Sequence, residues 1–223
     1  MWCIGALTSE YRKRMYHLLA LYARPERKDE PVVCVDEKSL QLMADSRAPV
    51  AMKPGRLRKQ DYEYTRRGTM NLFVAVEPKG GQRQVVITER RGKSDFVAFV
   101  QKLLATTYKT VSRLHLVVDN LNTHFEKSFI DVLGQREAAK VLRRVRFHYT
   151  PKHASWLNMA EIEIGVLTRQ CLNRRFSACD NVREELQRNI SAWQKRRNRQ
   201  RKPLSCKFSR KEADKKLGKH YVS

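Results

Sequence analysis

No stretch of the 223-residue chain approaches the roughly 20 consecutive apolar residues a membrane span needs, and none resembles the apolar core of a secretion signal. The five cysteines, Cys3, Cys34, Cys171, Cys179 and Cys206, are odd in number, scattered, and never spaced as Cys-x-x-Cys. That speaks against a disulfide framework or a zinc ribbon and for a reducing cytosol. There is no internal repeat and no low-complexity tract. No Ser-His-Asp or Cys-His pairing is evident that would supply a protein nucleophile. Acidic residues are scarce: 23 Asp and Glu face 46 Lys and Arg, a net charge of +23. Such an excess implies a polyanionic partner, most often nucleic acid, with a membrane surface the weaker alternative. Hydrophobic residues make up 41% of the chain, enough for a folded protein with a real core. The length fits one large domain, or one domain with appendages.

What is present is a series of short apolar runs and amphipathic stretches. Residues 9–24 read as a helix, with Tyr11, Met15, Leu18, Leu19 and Tyr22 at helical spacing and Ser9 able to cap. A charged linker between Pro25 and Pro31 follows. Val32-Val33-Cys34-Val35-Asp36 is a short apolar run ending in an acid. Residues 40–68 read as irregular and basic, and a hairpin is expected from strands at 70–76 and 84–88 around Pro78-Lys79-Gly80-Gly81. Ser94-Asp95 opens a helix with Phe96, Phe99, Val100, Leu103 and Leu104 on one stripe. A second apolar run, residues 114–118, ends at Asp119. A helix over 126–142, a strand over 145–149, a helix from Asn158 to about Arg174, and a helix opened by Asp180 or Asn181 complete the chain. The resulting order, βββαβαβα, is that of the ribonuclease H-like fold: an α/β mixed five-stranded sheet with helices on both faces.

In that topology the first and fourth strands lie side by side, so Asp36 and Asp119 become neighbours although 82 residues separate them. Ligand sites in open α/β sheets lie at this end of the strands. Glu37 follows Asp36 and must face the other way, so only one of them can join Asp119. A third acid is expected from the helix after the last strand, where Glu161 and Glu163 point about 200° apart. Glu161 shares its face with Ile164, Gly165, Thr168 and Leu172, a stripe able to lie against a sheet, and is the expected member. Three convergent carboxylates repel one another and need cations; hard oxygen donors on a basic protein suit Mg²⁺ or Mn²⁺. A pair of such ions supports in-line displacement at a phosphodiester.

Three stretches carry a family resemblance: Cys34-Val35-Asp36-Glu37-Lys38, Val118-Asp119-Asn120-Leu121-Asn122-Thr123-His124, and Ser155-Trp156-Leu157-Asn158-Met159-Ala160-Glu161. They resemble the three catalytic blocks of DDE transposases, and most closely the bacterial insertion sequence six-thirty family within the mariner superfamily. The third block, with its Leu-Asn-x-x-Glu helix start, is the most specific. The resemblance covers about residues 30–215. It implies that Asp36, Asp119 and Glu161 are both the catalytic triad and the metal ligands, with two divalent ions, Mg²⁺ or in its place Mn²⁺. It also implies transposition of DNA by a homodimer on paired transposon ends, in the bacterial cytoplasm, with no membrane and no small-molecule substrate. The expected division is an N-terminal helix and linker at 1–31, a catalytic core at 32–175, and a C-terminal helix and basic tail at 176–223. Family members carry helix-turn-helix modules ahead of the core, whereas 35 residues precede Asp36 here. The chain therefore reads as the catalytic half of such a protein: a truncated gene, the second frame of a frameshifted element, or a cut fragment.

Candidate DNA contacts are Lys53, Arg56, Arg58, Arg66 and Arg67 in the 40–68 stretch, together with Lys152 and His153 ahead of the third block. A dense cluster, Lys195, Arg196, Arg197, Arg199, Arg201 and Lys202, should hold phosphates without reading bases. His124 either positions a metal ligand, contacts a phosphate or simply starts a helix. Asn158 is expected as a helix N-cap, and Trp156 as a core residue beneath that helix rather than a platform for a base. Two other readings fit the same residues: a catalytically silent DNA-binding remnant or regulator, and another ribonuclease H-like nuclease.

Overall fold

The computed structural model describes residues 7–176 and 181–221, so Cys3, Cys179 and Asp180 lie outside the described residues. Five strands, β1 (Val32–Asp45), β2 (Tyr64–Val76), β3 (Arg83–Thr88), β4 (Leu114–Val118) and β5 (Val145–Tyr149), form one mixed sheet in the order β3-β2-β1-β4-β5. β1 runs antiparallel to β2 and β2 to β3, while β1, β4 and β5 are parallel. Among the described residues six α-helices accompany them: α1 (Ser9–Ala23), α2 (Lys93–Ala105), α3 (Glu126–Leu142), α4 (Ala160–Leu167), α5 (Val182–Gln200) and α6 (Arg210–Leu217).

The apolar stripe of α2 is buried as its spacing requires: Phe96, Phe99, Val100 and Leu103 pack with Val33, Val35 and Phe73 on one face of the sheet. Phe129 and Ala138 of α3 close that layer. Burial of each such side chain contributes about 1.5–3 kcal/mol. The opposite face takes α1 and α5. Met15, Leu18, Leu19 and Tyr22 of α1 pack on Cys34, Val76 and Val117 and on Leu157, Met159 and Ala160 beside the start of α4. Leu186, Ile190 and Trp193 of α5 pack on Leu72, Val74, Val85 and Ile87. A row of histidines also ties α1 to the sheet. His17 lies 2.7 Å from His148, which lies 2.9 Å from His115. Burial, with the charges around it, pushes His148 down to about 3, so the row is held neutral.

Three boundaries differ from the sequence reading. β1 does not stop at Asp36 but continues to Asp45, and β2 starts at Tyr64, so the two ends of the stretch expected to be irregular, 40–45 and 64–68, are a paired two-stranded arm with a bulge between Gln41 and Met43. The outer part of this arm has little apolar burial to reveal it; ladder hydrogen bonds and Arg175 hold it. The Arg175 guanidinium pairs with Asp45 at 2.6 Å and donates to the carbonyls of Asp61, Tyr62 and Glu63. Thr8 rather than Ser9 caps α1, its hydroxyl accepting from the Tyr11 N–H at 3.2 Å. The helix expected up to Arg174 is α4 followed by a π-helical turn, Thr168–Leu172.

Candidate active site

Across the parallel ladder Cys34 pairs with Val117. Asp36 and Asp119 stand two residues further along, so the period of two sends both carboxylates off the same sheet face, Asp36 from within β1 and Asp119 from just past the carboxyl end of β4. α4 brings Glu161 to them. Its approach is set by Asn158, which is fully buried and whose Nδ2 donates to the Val35 carbonyl at 2.8 Å, one residue before Asp36. The Asn158 side-chain oxygen accepts from the Ala160 N–H at 3.2 Å, so Asn158 joins the helix start to the strand, while the N-cap position expected for it belongs to Met159. The Tyr22 hydroxyl donates to the Leu157 carbonyl at 2.8 Å and fixes the preceding turn.

The electrostatics of the site are set first by burial and then by the neighbouring acids. Burial pushes Asp36 up to about 7; the Glu37 N–H, which donates to Asp36 at 2.8 Å, opposes this, and the charges of Asp119, Glu161 and Glu37 add to it. Among the described residues, no group of three or more acidic, histidine or cysteine side chains is drawn together closely enough to hold a metal ion by itself. An open set of hard oxygen donors fits the binding habit of Mg²⁺, which uses one or two carboxylates with water and substrate phosphates rather than an all-protein cage.

Glu37 has a different task. It leaves the strand opposite Asp36 and meets His124, whose ring is fully buried beside Phe96 at 4.4 Å between centroids. One ring nitrogen of His124 lies 2.6 Å from Asp119 Oδ1 and the other 2.7 Å from Glu37 Oε1. Burial opposes a charge on this ring, but the two carboxylates outweigh it and lift His124 to about 9. Each carboxylate thus receives an N–H, and Asp119 is held by one oxygen. His124 is not a phosphate contact, because no part of it reaches solvent.

Glu163 is also accounted for. Ala160, Glu163 and Leu167 are the buried face of α4, whereas Glu161 is exposed. The stripe expected to carry Glu161 against the sheet is therefore not the inward one. Glu163 is fully buried between Arg83 of β3 and Arg197 of α5, with Nε–Oε1 distances of 3.1 Å to each and a second Arg197 bond of 3.2 Å. Arg197 is thereby removed from the basic cluster: an arginine spent on a buried carboxylate cannot serve a phosphate. Lys195, Arg196, Arg199, Arg201 and Lys202 remain exposed, as do Lys53, Arg56, Arg58, Arg66 and Arg67 on the arm and Lys152 and His153 beside the site. Trp156 is 49% exposed and edge-on to Phe208, so it is not the core residue its composition suggested. Arg83 and Arg175 were not singled out from the sequence. Their partners come from distant segments, and no local spacing signals them.

The raised Asp36 and His124 fix the sign of the pH dependence. A carboxyl lifted from 3.8 to about 7 binds more protons folded than unfolded, so stability is lost as pH rises through that window and the loss is complete above it. His124, lifted from 6.5 to about 9, adds stability that is full below 6.5 and is lost as pH rises through about 9. Asp36→Asn should therefore be more stable than wild type in metal-free buffer. Its advantage should be small at pH 4 and should reach a plateau above pH 7, read as the shift of urea midpoint. An advantage independent of pH would mean that Asp36 carries no such burden.

Two adjacent parallel strands carrying carboxylates side by side, with a third acid on the helix that follows β5, define a ribonuclease H-like fold with an acidic site beside the carboxyl end of β4. Residues 31–183 match the family model of the DDE superfamily endonucleases, well over half of the chain, and the chain belongs to that family. Its fold is similar to that of the Mos1 mariner paired-end complex with manganese, at 15% identity and a TM-score of 0.55, over 90% of this chain and 61% of that one. It is similar also to a pre-cleavage Mos1 transpososome, at 15% identity and a TM-score of 0.56, over 100% of this chain and 66% of the other. The Mos1 strand transfer complex matches at 15% identity and a TM-score of 0.52, over 88% and 64%. The chain spans about three-fifths of the length of the first of these. No curated protein matches it.

Proposed function

We propose that this chain is the catalytic domain of a DNA transposase, cutting phosphodiesters at transposon ends and transferring the freed 3′-hydroxyl to target DNA. The observation that carries this reading is the convergence of Asp36, Asp119 and Glu161 within the segment that matches the DDE endonucleases. Burial first, and the charges of Asp119, Glu161 and Glu37 after it, raise Asp36, and a divalent cation bound there would offset both. Bound there, a pair of Mg²⁺ or Mn²⁺ ions supplies an activated water or 3′-hydroxyl and neutralises the leaving oxygen. Asp36 and Asp119 present oxygens from rigid strands, and Glu161 completes the set from α4. His124 and Glu37 hold Asp119 in one orientation, so that its outer oxygen is presented without rotamer search. Lys152 and His153 flank the scissile strand, and the exposed arginines of the arm neutralise phosphates further out. Paired ends call for a dimer, and the reading includes one.

The test is nicking and strand transfer on supercoiled plasmid by the full chain, with Mn²⁺ or Mg²⁺ and with EDTA. Cleavage that requires the cation supports a live DDE site. Salt-sensitive DNA binding without cutting under either metal would leave a DNA-binding remnant and sink the catalytic reading.

A further inference from the structure

Away from the carboxylates, the π-helical turn and α5 enclose a concave site of about 460 Å³. Arg169, Arg174 and Arg196 line it, with the amides of Gln170, Asn173 and Asn189, and none of its lining residues is acidic. Three guanidiniums cannot lose their charge at neutral pH, so gathering them around one hollow favours an anion between them. The arrangement is also held in place. Arg174 is fixed by Glu185 at 3.1 Å and by the Phe176 ring, 4.9 Å below its guanidinium. Gln170 accepts from the Trp193 indole N–H at 3.0 Å, which leaves its amide nitrogen as a donor. The Cys171 thiol, raised by burial, is drawn down by both Arg174 and Arg196, which places the two guanidiniums around one point. π-Turns inside helices recur at functional sites.

We propose that this hollow binds a backbone phosphate of the DNA on which the carboxylates act. The proposal rests on the reading of the chain as a DNA-processing enzyme and names a contact for it. Arg169 lies eight residues beyond Glu161 on the same helical rod, about 12 Å along its axis at ~1.5 Å per residue. At ~3.4 Å per base pair that is about three to four base pairs along a duplex, a separation one bound DNA segment spans. Guanidiniums with neutral amide donors suit a phosphate through paired N–H···O bonds and carry no base code, so the contact adds affinity at every sequence.

The experiment is anisotropy of a labelled 20-base-pair duplex with the full chain across a salt series, for wild type, Arg169→Gln/Arg196→Gln, and the charge-matched control Lys109→Gln/Arg113→Gln. The pocket variant should lose about tenfold in affinity on two unrelated duplex sequences alike, and its log K against log salt slope should fall by about 0.9 for each lost phosphate contact. The control should lose less and keep its slope. Equal losses in the two variants, or no salt-dependent binding by wild type, would overturn the proposal. A wild-type melting temperature raised by inorganic pyrophosphate, with the duplex slope unchanged in the pocket variant, would assign the hollow to a small phosphate ligand and overturn it equally. Plasmid nicking is read separately: if wild type never cuts but the pocket variant still loses its slope, the catalytic reading fails and the phosphate site stands.

Discussion

Asp119→Ala should fold and bind DNA as wild type does, yet cut supercoiled plasmid about a thousandfold more slowly. A carboxylate that positions cations at a reacting phosphodiester supplies several kcal/mol of charge stabilisation, and each 1.36 kcal/mol is tenfold in rate. Folding should survive because Asp119 lies at a strand end in partial contact with solvent, and its loss relieves repulsion on Asp36. The cost falls on His124, which keeps Glu37 as a partner at 2.7 Å. Cutting undiminished in Asp119→Ala would mean that the triad is misassigned and that the cleavage comes from elsewhere. The conservative variant Asp119→Asn separates charge from shape. It can still accept one bond in the geometry His124 imposes, and should be as slow as the alanine if negative charge is the requirement.

The second large effect is on stability. Glu163→Ala should lower the free energy of unfolding by about 3–5 kcal/mol, because it strands Arg83 and Arg197 in a buried place with no counter-charge. At about 2–4 °C per kcal/mol for a chain of this size, the melting temperature should drop by roughly 6–20 °C. The same ion cluster joins α4, β3 and α5, so it sets how the helix bearing Glu161 sits over the sheet. Glu163→Gln keeps an acceptor oxygen and should lie between wild type and alanine. Replacing all three members by apolar residues of similar volume, Glu163→Met with Arg83→Met and Arg197→Leu, should recover most of the loss, since desolvation offsets most of what such a cluster contributes. A loss under about 1 kcal/mol in Glu163→Ala would show that water reaches the cluster and that the burial is not what makes it matter.

Arg197 and Glu163 show where reading by residue type goes astray. In sequence, Arg197 sits among five other basic residues within 195–202 and reads as a phosphate contact, while Glu163 reads as the lesser of two candidate acids. Their pairing requires the turn of α5 that points one basic residue of the cluster inward. Nothing in the local pattern distinguishes that residue from its neighbours. The arm between Asp36 and Met70 failed for a related reason. Its strand pairing is carried by backbone hydrogen bonds and by Arg175, with little apolar alternation, so the period that reveals a half-buried strand is missing.

The order of elements, the adjacency of Asp36 and Asp119 and the amphipathic face of α2 were determined by the sequence itself. Apolar periodicity and chain direction are local properties, and in a βββαβαβα chain they leave little freedom in which strands become neighbours. Tertiary structure alone decided which charges are spent inside and which face solvent. It sent Glu163 to two arginines, His124 between Glu37 and Asp119, Trp156 outward, and Asn158 onto the strand beside Asp36. Those assignments depend on distances between segments far apart in the chain. The energy of a charge is set by what lies within a few ångströms of it and by how much water remains there, and neither is written in the spacing of residues.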